Sequence, residues 1–327
     1  MHLPSDAVCP GIAIDVQVAD SRTADARVAD ARRADLDATG ARVPGAGQDR
    51  PLLDAARLAD LLATARTGYR LTVLPEVDST NAALARAARA DTTTMVAATA
   101  ELEEMARRWR AADGPRGQVL VAERQSAGRG RLDRSWESRV GAGLTVSLLV
   151  RLTVETALLG WLPMVVGTSL VSTVRRVTGV PAVLKWPNDL LVDGAKLAGI
   201  LVELVPVPAS APSVVIGFGL NVHAERDELP QRSTSLRLCG AHPAVLDRTA
   251  LLAELLADLA GALTRWERDP RTARADYLAV CSTIGRQVRV ELPGGQSHLG
   301  TATDVDAEGR LVVDGRAFSA GDVIHLR

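Results

Sequence analysis

The sequence predicts an α+β protein, with helices and strands interspersed over residues 51–282 and a small all-β unit over 283–327. Two observations carry this expectation. Stretches with apolar residues at helical spacing are interleaved with short β-branched runs as far as Arg268. From Ile284 onward only short alternating runs between glycine turns remain. A third observation sets the scale: 327 residues, 47% of them hydrophobic and 24% charged, can bury an ordinary soluble core.

Residues 1–50 fall outside that fold. Val18–Asp37 reads VADSR TADAR VADAR RADLD, a five-residue repeat that matches neither the helix nor the strand period and has little to bury. A low-complexity, disordered tail is expected. It carries six arginines against eight aspartates and no apolar helix pair, so no DNA-reading helix-turn-helix can be drawn. No signal peptide is expected either, for want of a charged start and a proper apolar core.

Order is expected from Pro51. Leu52–Arg66 reads as a helix, Leu71–Leu74 as a strand, Asp78-Ser79-Thr80 as a turn capping a helix over Asn81–Arg89. Residues 92–117 read as an insertion containing a solvated surface helix. Its ELEEMARRWR segment places Leu102, Met105 and Trp109 on one face and spaces Glu103–Arg107 and Glu104–Arg108 for ion pairs. Val119–Ala122 and Leu144–Arg151 are strands flanking a Gly/Arg-rich loop, Ser126–Arg134. Ala157–Val174 has 18 residues without a charge, yet Gly160, Pro163 and Gly167 interrupt it, so a core helix is expected rather than a membrane span. Val183–Trp186, Leu190–Val192, Leu197–Leu204 and Val214–Phe218 are four further strands, and Leu251–Arg268 is a long amphipathic helix. The runs from Ile284 predict a small β-barrel.

Net charge is −1, from 38 basic and 39 acidic residues, so no global basic field recruits nucleic acid or a membrane surface. The three cysteines are scattered, which argues against a disulfide framework and fits a reducing cytoplasm. Histidines 2, 223, 242, 298 and 325 show no metal-ligand spacing, and neither a G-x-S-x-G elbow nor a P-loop occurs.

One compositional bias points to the chemistry. Only Lys185 and Lys196 are lysine, and only Asn81, Asn188 and Asn221 are asparagine. In a chain that otherwise writes its cations as arginine, the two remaining lysines mark places that need a compact ammonium. Four segments stand out, and three of them hold all five residues. Glu123–Ser138 (ERQSAGRGRLDRSWES) sets Gly128 and Gly130 among Arg124, Arg129, Arg131 and Arg134, which suits a phosphate or carboxylate, with a solvated basic loop as the alternative. Lys185–Glu203 (KWPNDLLVDGAKLAGILVE) puts Lys185 and Lys196 on facing strands of a hairpin. There Asp189 could hold a hard metal ion, or Asn188-Asp189 simply make a turn. Val77–Asn81 (VDSTN) reads as a helix cap and Val215–Val222 (VIGFGLNV) as a strand end presenting Asn221.

Taken in order, these segments resemble biotin–protein ligases: DSTN at Asp78–Asn81, GRGRxxRxW at Gly128–Trp136, KWPND at Lys185–Asp189 with KLAGILVE at Lys196–Glu203, and GxGxN at Gly217–Asn221. The resemblance spans about residues 70–327. It implies a mixed β-sheet catalytic domain flanked by helices, of the class II synthetase-like kind, with an SH3-like C-terminal barrel. It implies two half-reactions: biotin and ATP, with Mg²⁺, give biotinyl-5′-adenylate, and a lysine of a biotin carboxyl carrier domain then takes the biotinyl group. Ser79, Thr80, Asn81, Gln125, Arg129, Gly130, Arg131 and Lys196 match biotin- and adenylate-binding positions, with Arg131, Lys185 and Lys196 as catalytic groups. Arg134, Trp136, Lys185, Asn188 and Asn221 fall near the nucleotide, Asp189 is the Mg²⁺ partner, and Ala224–Leu236 lies where the family has a nucleotide-covering loop. Leu132-Asp133 departs from the pattern, which has a glycine before the next arginine. No nucleic acid or membrane partner is implied, and the chain is expected as a monomer or weak homodimer. Two alternatives share part of this pattern. Lipoate–protein ligases and octanoyltransferases share the fold but lack the GRGR loop paired with KWPND…KLAGILVE. A biotin-sensing repressor would need a DNA-binding helix pair.

Overall fold

A computed structural model describes residues 17–18, 50–89, 100–110, 116–131, 134–206, 213–292, 295–319 and 321–326. The expected disorder of 1–50 therefore falls outside the described residues, except for β1 (Gln17–Val18) and Arg50. Arg50 is already engaged with the folded part, one residue before the expected boundary.

Helix α1 (Ala55–Thr64) is capped by Asp54, whose carboxylate accepts from Arg57 N. Then follow β2 (Tyr69–Val77), α2 (Thr80–Arg89), α3 (Ala100–Arg110), β3 (Gly117–Gln125), β4 (Gly143–Arg151) and α4 (Leu162–Thr178). The short strands β5 (Val183–Lys185) and β6 (Asp189–Val192) lead into the long β7 (Ala195–Val205) and β8 (Ser213–Asn221). Helices α5 (Arg248–Arg268) and α6 (Thr272–Leu278) close this part. The main sheet is mixed: β2 and β3 are parallel, the remaining neighbours antiparallel, in the order β2-β3-β4-β8-β7-β6-β5, with β1 parallel to β2 at its edge.

Alternation along β3 shows how the core is divided. Val119 and Val121 face one hydrophobic cluster with α1, α4 and α5, while Leu120 and Ala122 face a second one with α2 and α3. The sheet is thus covered on both faces. This corrects the surface reading of the 92–117 segment, because Leu102, Met105 and Trp109 of α3 are buried in that second cluster. Arg151 lies 4.0 Å over the Trp109 ring. Glu104 pairs with both Arg108 and Arg107, so the anticipated Glu103–Arg107 pair gives way to an i,i+3 bond. The apolar α4, with the preceding turn, is long and apolar enough to cross a membrane, but its buried face packs into the core as expected.

The C-terminal unit is a five-stranded antiparallel sheet of β9 (Gln287–Glu291), β10 (Ser297–Val305), β11 (Leu311–Val313), β12 (Arg316–Phe318) and β13 (Asp322–His325), ordered β12-β11-β10-β9-β13. Its interior, Val288, Val290, Val305, Leu311 and Val323, belongs to the same cluster as the core under the main sheet. Two indole N–H groups cross the seam, Trp161 to Ala307 O at 2.9 Å and Trp186 to Gly309 O at 3.2 Å.

His325 is part of that seam. Its Nε2 lies 3.0 Å from Thr283 Oγ1, which in turn accepts from Trp186 N. Burial, and then the positive charges of Lys185 and Arg286, push His325 down to about 4. An unfolded chain would protonate it near 6.5, so stability is expected to fall as pH drops from about 6.5 toward 4, where the unfolded state takes up a proton the folded state refuses. Thermal melts across that window should show the loss, and His325→Gln should flatten it. An equal slope in the variant would assign the effect elsewhere.

Candidate functional site

The site is built from four segments that are far apart in the chain. Ser79, Thr80 and Asn81 open α2 and are all buried. Gln125 ends β3, and its Oε1 accepts from Thr80 N at 2.8 Å and from Thr80 Oγ1 at 3.0 Å. Ser147 on β4 bonds both Thr80 Oγ1 (2.7 Å) and Asn81 Oδ1 (2.6 Å). The Asn81 amide donates to Glu203 Oε2 at 2.7 Å. The result is a connected polar floor of hydroxyls and amides in which each member fixes its neighbour's rotamer.

Small residues make room for this floor. A Cβ on Gly217 would lie 2.1 Å from Asn81 Oδ1, and one on Gly219 would lie 2.1 Å from Trp136 Cε2. The bare strand β8 therefore lets an amide and an indole lie flush on the sheet. Gly219→Ala is expected to expel the indole and weaken ligand binding in this pocket by about ten- to a hundredfold, the scale of a 1–3 kcal/mol overpacking penalty. Titration calorimetry of the folded variant checks this; unchanged affinity would mean that Trp136 is not part of the pocket wall.

Above the floor, cations converge. Arg131 donates from Nη1 to Asn188 Oδ1 at 3.0 Å, and Asn188 is itself fixed by its Nδ2–Ile200 O bond of 2.7 Å. Burial lowers the affinity of the Arg131 guanidinium for its proton, and Asp189 and Asp322 counter this. Lys196 Nζ lies 2.6 Å from Asp189 Oδ1 and 5.8 Å from the Trp136 ring centre. Arg129 is 4.0 Å from Glu203. A cavity of about 50 Å³, lined by Ser79, Gln125, Trp136 and Lys196 among others, shares Arg129, Gly130, Arg131 and Asn188 with a second of about 440 Å³ that reaches Arg310 of the C-terminal unit. A small pocket with a polar floor and apolar walls of Trp136, Ile200 and Phe218 thus adjoins a larger space in which Arg129, Arg131 and Arg310 outnumber Glu203 and Glu308, an arrangement for a ligand with a compact head next to a polyanion.

Ten of the expected residues line the smaller cavity: Ser79, Thr80, Asn81, Gln125, Arg129, Gly130, Arg131, Trp136, Asn188 and Lys196. The other four do not line it. Arg134 is bound to Asp322 Oδ2 at 2.6 Å, Asp189 to Lys196, and Asn221 donates to Thr234 O at 2.9 Å, holding the segment after β8. Lys185 stands opposite Asp189 in the β5–β6 register. The expected hairpin is corrected at this point: Lys185 lies on β5 and Lys196 on β7, with β6 between them, so the two lysines flank Asp189 rather than face each other. Leu132-Asp133 lies outside the described residues.

Ser147, Glu203 and Asp322 were missed as site residues. Glu203 ends the KLAGILVE motif and could have been found there; Ser147 and Asp322 sit in plain strand sequence with no local signal. Burial raises Asp322, and the bond from Arg134 with the charges of Lys185, Arg134 and Arg131 lowers it, the latter winning, so its carboxyl is held below the usual range as an anchor for the glycine loop.

Two family models match this chain, "Biotin/lipoate A/B protein ligase family" over residues 94–221 and "Biotin protein ligase C terminal domain" over 283–326. The first begins inside the segment read as an insertion. The biotin–[acetyl-CoA-carboxylase] ligase of Mycobacterium tuberculosis is 40% identical over 85% of this chain and 97% of its own length. The bifunctional ligase/repressor BirA of Escherichia coli is 32% identical over 83% of this chain and 78% of its own. Among solved structures, the biotin protein ligase of Aquifex aeolicus in complex with biotin and ATP aligns with a TM-score of 0.59 and 26% identity, over 79% of this chain and 98% of that one.

Proposed function

The chain belongs to the biotin–protein ligase family, and from that premise we propose that the cleft under the glycine loop joins biotin to ATP and passes the biotinyl group to a carrier-domain lysine. Its activity is that of an ATP-dependent biotin–[acetyl-CoA-carboxylase] ligase working through biotinyl-5′-adenylate. The observation that carries the assignment of residues is the junction of the Thr80–Asn81–Gln125–Ser147 floor with Arg129, Arg131 and Lys196 in one cleft.

In the first half-reaction a biotin carboxylate oxygen bonds to the α-phosphorus of ATP, and the bond to the bridging oxygen breaks to release pyrophosphate. The carboxylate is ionised at neutral pH, so no general base is needed. What the step needs is screening of mutual repulsion and in-line placement, which Arg129, Arg131 and Lys196 supply, with Lys185 toward the phosphates. The floor residues offer donors and acceptors to the cyclic urea of biotin. In the second half-reaction the acceptor amine bonds to the acyl carbon, AMP leaves, and the amine gives up a proton. A positioned acyl phosphate needs no enzyme nucleophile.

ATP brings Mg²⁺ with it as part of the substrate. Among the described residues no group of three His, Cys, Asp or Glu side chains could cage a metal. One carboxylate, Asp189, beside a phosphate-binding space fits an ion held mainly by phosphate oxygens. Asp189 would then exchange its bond to Lys196 for the ion, leaving the ammonium free for the biotin carboxylate. A cytoplasmic setting, with no nucleic-acid or membrane partner, is supported by the net charge of −1 and by free thiols at Cys239 and Cys281.

ATP–pyrophosphate exchange assayed with biotin and then with lipoate tests the assignment. Exchange is expected with biotin only, followed by a single biotinyl adduct on a carrier domain by mass spectrometry. Exchange with lipoate alone would overturn it.

A further inference from the structure

The floor of the small cavity is a row of four oxygens, Gln125 Oε1, Thr80 Oγ1, Ser147 Oγ and Asn81 Oδ1, spaced 3.0, 2.7 and 2.6 Å apart. Each spacing is a hydrogen-bond contact and needs one hydrogen between its two oxygens. The row owns only two, on the hydroxyls of Thr80 and Ser147. Ser147 is 0% exposed, so water does not supply a third.

The ends of the row do not supply it either. Gln125 turns its oxygen to the row because Thr80 N donates to that oxygen at 2.8 Å. At the other end the Asn81 amide nitrogen is taken by two groups that only accept, Glu203 Oε2 at 2.7 Å and Leu201 O at 3.3 Å. Asn81 therefore turns its oxygen to Ser147, and the Ser147 hydroxyl, which cannot donate twice, gives its hydrogen to that shortest contact. The deficit falls at Thr80, whose one hydrogen is wanted by Ser147 on one side and by Gln125 on the other. All four residues line the cavity. A ligand N–H reaching Gln125 Oε1 or Thr80 Oγ1 completes the row, because the contact left short is then filled from the pocket.

We propose that Glu203 is a positioning residue that determines specificity: by holding the Asn81 amide in one orientation it keeps the floor one hydrogen short, so that the pocket selects a ligand bringing an N–H. Glu203 lines the neighbouring cavity and not this one, and it reaches the floor through Asn81. The proposal rests on the reading above that the cyclic urea of biotin lies on this floor. Without the carboxylate, Asn81 is free to rotate its amide and give an N–H to Ser147, and the row is complete before any ligand arrives. A site with an unmet acceptor rejects an analogue lacking the donor far more strongly than a satisfied site does. Arg129 lies 4.0 Å from the other oxygen of Glu203, so KM for ATP reports separately on that contact.

The test uses the full-length chain with ATP, biotin, and the two cyclic carbamates in which one or the other ring N–H of biotin is replaced by oxygen. Wild-type exchange with biotin comes first, since its absence would sink the functional reading and not the arrangement of the row, which a ligand-free measurement reads by itself. Selective 15N-asparagine labelling leaves three side-chain amides, and that of Asn81 should exchange slowly with solvent and shift in Glu203→Met. Given exchange, the wild type is expected to disfavour at least one carbamate by about a hundredfold or more in kcat/KM. Glu203→Met should raise KM for biotin about tenfold and narrow that preference about tenfold, with KM for ATP within about threefold. Glu203→Gln, which keeps an acceptor oxygen, should recover part of both. The Glu203 side chain is 32% exposed, so its replacement leaves the core intact; should a melt show otherwise, Glu203→Ala carries the same comparison. A wild type indifferent to both carbamates, an unshifted Asn81 amide, or a raised biotin KM with the preference undiminished would overturn the proposal.

Discussion

Lys196→Arg is expected to lower biotin-dependent ATP–pyrophosphate exchange by about a hundredfold or more, the scale of removing one preorganised charge from a reacting centre, with little change in melting temperature. The position is narrow. Lys196 Cε and Nζ pass within 3.1 Å of where a Cβ on Gly199 would sit, Trp136 flanks the ammonium at 5.8 Å, and Asp189 receives it at 2.6 Å. A guanidinium is longer, planar and forked, and it would grip Asp189 in two places instead of releasing it. Charge is conserved in this substitution, so a large loss isolates the geometry of the ammonium from its sign. Exchange kinetics with a parallel thermal melt decide the matter. Near-wild-type exchange would remove both the role assigned to Lys196 and the inference from lysine scarcity.

The second large effect concerns stability. Arg248→Ala is expected to cost about 3–5 kcal/mol and to lower the melting temperature by on the order of 10 °C. Arg248 and Glu123 form an ion pair in which the side chains are only 3% and 4% exposed. Arg248 makes two bonds to the carboxylate, at 2.9 and 3.0 Å, and two more to Gly143 O and Pro51 O. Without the guanidinium, Glu123 would keep Leu53 N as a donor but no counter-charge, inside a low-dielectric interior. The pair as a whole is a different matter. Its replacement by well-packed apolar residues at both positions should recover most of the loss, because two desolvated charges roughly cancel their own attraction. Calorimetric melts of the single and double replacements separate these outcomes; a single variant as stable as the wild type would show that water or another cation reaches Glu123.

Much of this protein is legible one segment at a time. The predicted helix over Leu52–Arg66, the strand over Leu144–Arg151 and the helix over Leu251–Arg268 are present, their ends displaced by a few residues where caps such as Asp54 and Asp247 set them. Ten residues picked from motifs meet in one cavity. Illegible were the things that need a second surface. The charged outer face of α3 suggests a solvated helix, and only the uncovered face of β3 and β4, which its apolar side fills, shows that it belongs to the core. Lys185 and Lys196 seem to share a hairpin when spacing alone is considered, whereas pairing inserts β6 between them.

What the sequence determined by itself is local chemistry: which segments are helix or strand, which loop can approach an anion, and, through two lysines and three asparagines, where an unusual side chain was retained. Those properties depend on backbone preference and side-chain identity within a few residues. What only the tertiary structure decided is who meets whom across the chain: Ser147 with Thr80 and Asn81, Arg134 with Asp322, Arg248 with Glu123, Arg50 with Glu228. Each of these pairs is separated by dozens of residues, and what brings it together is burial of the sheet's two faces, a property of the whole core with no local trace in either partner.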